Sequence, residues 1–226
     1  MTQRWGFLTN HALILIYVIR HHDSTVREIS TGIGVTERAT LAILRELDED
    51  RIVERHRAGR RNTYAVNFAQ LAAYRREGTA SLTPREFVDG LVTVLLAIAR
   101  TNGNADGAAS KAGGVDSGAL EPQMGRWGFL TNHALLLLSI ALDREATVRE
   151  MAASVGVTER AIVALLNQLE DESVIARKRN GRRNEYTINY EALRTFPRWS
   201  PGDWKVPPEL IDVAVKGLRA LAAPGR

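Results

Sequence analysis

The residues in this chain best equipped for chemistry are arginines that recur in a fixed setting. One group reads Arg57, Gly59, Arg60, Arg61, Asn62, and a second reads Lys178, Arg179, Gly181, Arg182, Arg183, Asn184. A guanidinium stays charged at any physiological pH, and its planar fork of donors matches a phosphate in two bonds at once. Glycine inside each group points to a turn, so both groups read as arginine-tipped loops seeking an anion. A further set is Arg38 with Arg45, answered by Arg160 with Asn167. Their spacing is two helical turns, which puts both members on one helix face. Catalytic constellations find no comparable support. The chain contains no cysteine, hence no disulfide framework, thiol nucleophile or thiolate metal site. The acids Asp48, Glu49, Asp50 and Glu170, Asp171, Glu172 cluster as solvated helix ends do, not as a carboxylate pair in a cleft. His21 and His22 adjoin each other but are not repeated, which makes a weak metal site. The sequence therefore implies no enzymatic activity, no metal and no cofactor.

These residues need elements to hold them. From Thr25 to Asn67 the chain reads TVREISTGIGVTERATLAILRELDEDRIVERHRAGRRNTYAVN. Val26, Ile29 and Ile33 recur at helical spacing, Gly34 breaks the chain, and Thr36 is placed to cap the next helix. In that second helix Ala39, Ile43, Leu44 and Leu47 form a stripe toward the core, leaving Arg38, Leu41, Ala42 and Arg45 outward. IVERHR and NTYAV then alternate in the two-residue period of strands and enclose the arginine loop. Tyr64 is expected in the core beneath the hairpin. The unit has the form of a winged helix-turn-helix. Its Gly32 and Gly34 follow a helix and not a strand, so they make no nucleotide-binding loop.

The stretch returns from Thr147 to Asn189, with Thr158 capping the equivalent helix and Tyr186 in the place of Tyr64, and roughly half of Arg4–Leu71 is identical in Arg126–Leu193. The chain is a tandem duplication. Each unit opens on RWGFLTNHAL, where Thr9 or Asn10 caps a helix apolar on almost every side, with Trp5 and Phe7 expected beneath it. His11 and His133 sit at these helix starts, placed either to meet a phosphate or to cap locally. Each unit closes on a further helix, Pro84–Ala99 and Pro207–Ala222; Thr83, Pro84 and Glu86 make a capping box for the first. Residues 101–125, rich in Gly, Ala, Ser and Asn, read as a flexible linker spanning roughly 25 to 30 Å. The expected organisation is mainly α with small β-hairpin wings (α+β): residues 1–100, a linker at 101–125, and 126–226. With 226 residues, 45% hydrophobic and 25% charged, both units can bury ordinary cores. The net charge is +4, but it is segregated: the run from Arg177 to Arg183 holds no acid, while Glu170 to Glu172 precede it. No basic-then-apolar leader opens the sequence and no apolar stretch is long enough to span a bilayer. A cytoplasmic, nucleoid-associated protein is the expectation.

Leu8–His11, Gly34–Ala39 and Gly59–Tyr64, repeated as Leu130–His133, Gly156–Ala161 and Gly181–Tyr186, carry the motifs LTNH, G[IV]TERA and GRRNxY. In this order they resemble the winged helix-turn-helix transcriptional regulators of the MarR and ArsR type. The resemblance implies double-stranded DNA as partner, the second helix of each motif in the major groove and the hairpin against backbone or minor groove. The residues it implicates are Thr36, Arg38, Arg45, Arg57, Arg60, Arg61 and Asn62, and Thr158, Arg160, Asn167, Lys178, Arg179, Arg182, Arg183 and Asn184. One departure bears on specificity. The middle of the outward face is Leu41 and Ala42 in one copy, Val163 and Ala164 in the other. Such groups reach a thymine methyl but make no bidentate bond to a base. Either readout rests on the flanking arginines and the hairpin, or these faces dock protein, as in a nucleoid-architectural scaffold. Regulators of this type act as dimers, and the closing helices offer two apolar stripes: Phe87, Leu91, Leu95, Ile98 and Leu210, Ala214, Leu218, Leu221. They could pair within one chain, between two chains, or pack each on its own unit.

Overall fold

The computed structural model describes residues 6–58, 61–76, 85–101, 123–125, 127–181, 183–196, 199 and 205–222. It is mainly helical with two small antiparallel hairpins. The first unit runs α1 (Asn10–Arg20), α2 (Val26–Ile33), α3 (Glu37–Glu49), β1 (Val53–Ala58), β2 (Arg61–Val66), α4 (Phe68–Ala73), β3 (Tyr74–Arg76) and α5 (Arg85–Thr101). The second begins with β4 (Gln123–Gly125) and continues with α6 (Asn132–Leu142), α7 (Val148–Val155), α8 (Glu159–Asp171), β5 (Ile175–Asn180), β6 (Arg183–Ile188), α9 (Tyr190–Arg194) and α10 (Pro208–Leu221).

Threonine starts the first three helices of each unit. Thr9, Thr25 and Thr36 accept from the amides of Ala12, Glu28 and Ala39, satisfying donors that a helix N-terminus leaves orphaned. Thr131, Thr147 and Thr158 repeat the arrangement. At Thr25 and Thr147 the cap is reciprocal, because Glu28 and Glu150 return a carboxylate to the cap amide. Those bonds to the ionised form hold both carboxyl groups below their ordinary pKa. Gly34 and Gly156 end α2 and α7 in the left-handed conformation, at φ of 80° and 75°. After α3 and α8 the same conformation falls on Arg51 and Ser173, at φ of 58° and 57°. There the amides of Ile52 and Val174 reach back to the carbonyls of Leu47 and Leu169, closing the helix end and turning the chain into its hairpin.

The hairpins pair Val53 with Val66 through Ala58 with Arg61, and Ile175 with Ile188 through Asn180 with Arg183. The outer edges of β2 and β6 bond to the loops before α2 and α7, through Tyr64 N to His22 O (2.8 Å) and Tyr186 N to Arg144 O (2.9 Å). Tyr64 and Tyr186 are buried at the base. On α3 the buried stripe is Thr40, Ile43, Leu44 and Leu47, which corrects the expected Ala39. Thr40 tolerates this position because its hydroxyl bonds the Thr36 carbonyl at 3.1 Å.

The units share one continuous core. Their N-terminal segments cross as an antiparallel bridge at Leu8 and Leu130. Thr9 N donates to Phe129 O (3.0 Å) and Thr131 N to Phe7 O (3.1 Å). Thr9 Oγ1 donates to Gly128 O and Thr131 Oγ1 to Gly6 O, both at 2.6 Å. Each bond is answered by its counterpart from the other copy, the mark of a two-fold contact. The closing helices α5 and α10 pack on each other, and Gly217 makes room for Phe87: a Cβ there would lie 2.6 Å from the ring. Phe87, Leu91 and Leu95 are buried on one helix, Leu210, Ala214, Val215 and Leu218 on the other.

Three sequence expectations change or fall elsewhere. Gln123–Gly125, assigned above to the linker, form β4, which pairs in parallel with β3 across the two units. Extended backbone beside an open strand edge satisfies its amides by pairing. Phe7 packs not under its own unit alone but against Trp199 of the second, with ring centroids 4.3 Å apart. Trp5, the capping box around Pro84 and most of the linker lie outside the described residues.

Leu95 is fully buried, so Leu95→Ala is expected to cost about 2–5 kcal/mol. Chemical denaturation should show both units losing stability in one transition, since they share the core. Ser173→Gly removes the left-handed penalty from an exposed residue and should add about 0.5–1 kcal/mol in the same assay.

Candidate nucleic-acid interface

Thr36 and Thr158 are the caps of α3 and α8, so their hydroxyls are engaged with the amides of Ala39 and Ala161, both at 3.2 Å. From those caps, Arg38, Leu41, Ala42 and Arg45 run along one side of α3, and Arg160, Val163, Ala164 and Asn167 along the equivalent side of α8. Arg38, Ala42, Arg45 and all four residues of the α8 stripe are exposed, while Leu41 is half-buried. Val163 keeps 44% of its surface in solvent, unusual for a large apolar side chain. Arg38, Arg45 and Arg160 make no ion pair with any described residue.

The hairpin residues divide between two faces, because cross-strand partners point the same way and successive residues alternate. Arg57 opposite Asn62, and Arg179 opposite Asn184, extend the face whose base buries Tyr64 or Tyr186. Arg61, Lys178 and Arg183 belong to the opposite face. The described hairpin arginines are thus not gathered into a single cluster. Arg61 lies 3.8 Å from Asp23 and 4.0 Å from Glu28, beside the start of α2. Arg183 holds the equivalent place near Glu150, lowering that carboxyl's pKa further. Both pairs are exposed and weak, so these guanidinium groups remain available to a stronger anion. Arg179 Nε donates to Gly181 O at 3.4 Å, bracing the tip of the second hairpin. Arg60 and Arg182 lie outside the described residues. Arg177 bonds Glu170 at 2.7 Å and ties the second hairpin to the end of α8.

The histidines and one tryptophan do something the sequence did not reveal. His11 Nε2 donates to Glu46 Oε2 at 2.7 Å, and its ring stacks on Trp127 at 4.8 Å and 7°. Trp127 belongs to the second unit. Its indole Nε1 donates to Asp50 Oδ2 at 2.8 Å, and its other neighbour is Tyr74 at 4.5 Å. His11 is therefore part of the junction between units and is turned away from a phosphate role. Asp50, read above as solvated, accepts a bond from across that junction. Burial, then the Asp50 carboxylate beside it, pushes the Tyr74 hydroxyl well above the ordinary tyrosine pKa. In the second copy His133 Nε2 donates to Gln168 Oε1 at 2.6 Å.

Among the described residues no group of His, Cys, Asp or Glu is arranged to hold a metal ion. None of their helices is long and apolar enough to cross a membrane. No family model matches the chain, and no curated protein is significantly similar to it.

Burial lowers the pKa of His133, against a smaller upward pull from Gln168. The folded state then favours the neutral ring, and the unfolded chain binds the proton more readily. That stability is complete above the unfolded value near 6.5 and is lost as pH falls toward the folded one. Thermal unfolding followed between pH 7 and pH 5 should show a declining midpoint, and His133→Asn should flatten the decline.

Proposed function

We propose that this chain is a double-stranded DNA-binding protein, a transcriptional regulator built as a tandem winged helix-turn-helix, and that it carries no catalytic activity. The observation that carries this reading is the pair of exposed helix faces on α3 and α8. Each bears arginine with no ion-pair partner among the described residues, and each stands beside an arginine-bearing hairpin. An exposed helix face of this width fits the major groove, and a hairpin at its flank reaches the neighbouring backbone. In this reading Arg38 and Arg45 on α3, with Arg160 and Asn167 on α8, meet base edges. Arg57, Arg60, Arg61 and Asn62, with Lys178, Arg179, Arg182, Arg183 and Asn184, meet phosphate or minor groove. Thr36 and Thr158 fix the starts of the two reading helices. One chain supplies both halves of what such regulators assemble from two, joined at the Thr9 and Thr131 crossing and at the α5–α10 pair, and works in the cytoplasm on the nucleoid.

A second reading keeps one observation of its own, the exposed Val163 at the centre of the α8 face. A protein partner seated there would use apolar contact, and its binding would respond little to salt. DNA binding releases counterions and weakens steeply.

Fluorescence anisotropy on a mixed-sequence duplex at about 50 mM salt is expected to show binding, with an affinity that falls steeply as salt rises. Replacing Arg60 and Arg61 together by Ala should weaken binding to every sequence alike and reduce the salt slope by about 1 to 2. No binding at low salt sinks the DNA reading; binding that ignores salt favours the docking one.

A further inference from the structure

We infer that the duplex this chain prefers is an inverted repeat of deliberately unequal halves, guanine facing Arg45 in one half and adenine facing Asn167 at the symmetric position of the other. The inference rests on the DNA-binding reading and narrows it to a class of site.

Its first support is the two-fold contact. Reciprocal bonds from Thr9 to Phe129 and from Thr131 to Phe7, at 3.0 and 3.1 Å, relate the copies by a local two-fold rotation. The Thr9 and Thr131 hydroxyls, reaching Gly128 and Gly6 at 2.6 Å, obey the same rotation. A duplex has two-fold axes of its own, so a two-fold reader selects an inverted repeat. The second support is the comparison of the faces so related. Arg38 and Arg160 match, Leu41 and Val163 are both apolar, and Ala42 matches Ala164. Only Arg45 and Asn167 differ in chemistry. Both are exposed, and both stand nine residues beyond an equivalent threonine cap, Thr36 or Thr158. Arginine bonds guanine O6 and N7 in bidentate fashion; asparagine does the same to adenine N6 and N7. Along the two helix faces the symmetry is therefore broken at one base pair per half-site. The positions facing Arg38 and Arg160 act as an internal control, since identical side chains there call for the same base in both halves.

Selection of bound duplexes from a random library, with the wild-type chain, Asn167→Arg and Arg45→Asn, tests this. Wild type is expected to enrich the unequal repeat, with one chain per duplex. Asn167→Arg should enrich a symmetric repeat with guanine in both halves, and Arg45→Asn one with adenine in both. Each switch should change the preference at that base roughly 5- to 150-fold, the value of one bidentate pair. Both positions are exposed, so an unchanged unfolding midpoint shows that the variants fold. Wild-type sites symmetric at this position, variants that enrich the wild-type site, or duplex binding without any enrichment each overturn the inference and leave DNA binding standing. Failure to bind any duplex overturns DNA binding and the inference together.

Discussion

The rest of the structure depends on two threonine hydroxyls. Thr9 and Thr131 each accept a bond from the amide three residues on, which starts α1 or α6, and each donates a bond to a carbonyl of the opposite unit. A hydroxyl has one proton to give and lone pairs to receive, so a single atom does both. The start of the most apolar helix in each unit and the crossing of the two units are thereby the same event. From Ala12 to Ile19, and from Ala134 to Ala141, these helices are buried almost throughout. One unit alone would leave much of that surface to water. With the segments crossed, α5 and α10 close over the shared core, and α3 and α8 are left outward on a common frame.

Within this frame the copies agree where the backbone turns and crosses, and differ in side chains beside that crossing. Both keep the threonine caps, the Gly34 or Gly156 turn and the left-handed residue before the hairpin. At the junctions, His11 has Glu46 and the indole of Trp127, while His133 has Gln168. Tyr74 stacks on that same tryptophan, and the residue in its place in the second unit is Phe196. The charge difference also reaches the hairpins, where His56 of the first stands in the place of Lys178 of the second. A duplicated chain is free to do this because each copy faces only its own neighbour, whereas a homodimer must carry every change on both sides.

Much of the architecture was legible locally. Thr36 ahead of Glu37, Gly34 after Ile33, and the alternation around Tyr64 are signals held within a few residues, and each settled its element where expected. Capping and periodicity need no knowledge of the rest of the chain. The outward placement of Arg38 and Arg45 followed from the same periodicity, and so did the two apolar stripes on the closing helices.

What only the tertiary structure decided was the partner of each side chain. Trp127 opens the second unit, yet its indole bonds Asp50 of the first. Arg61 looked free at a hairpin tip and lies between Asp23 and Glu28. Residues 123–125 carried the composition of a linker, yet they pair with a strand far back in the chain. Arg51 and Ser173 adopt the left-handed conformation without glycine, immediately ahead of the buried hairpin base. In each case the local sequence is compatible with several outcomes of nearly equal energy. The choice falls to atoms distant in the chain, whose positions exist only once both units have folded onto one another.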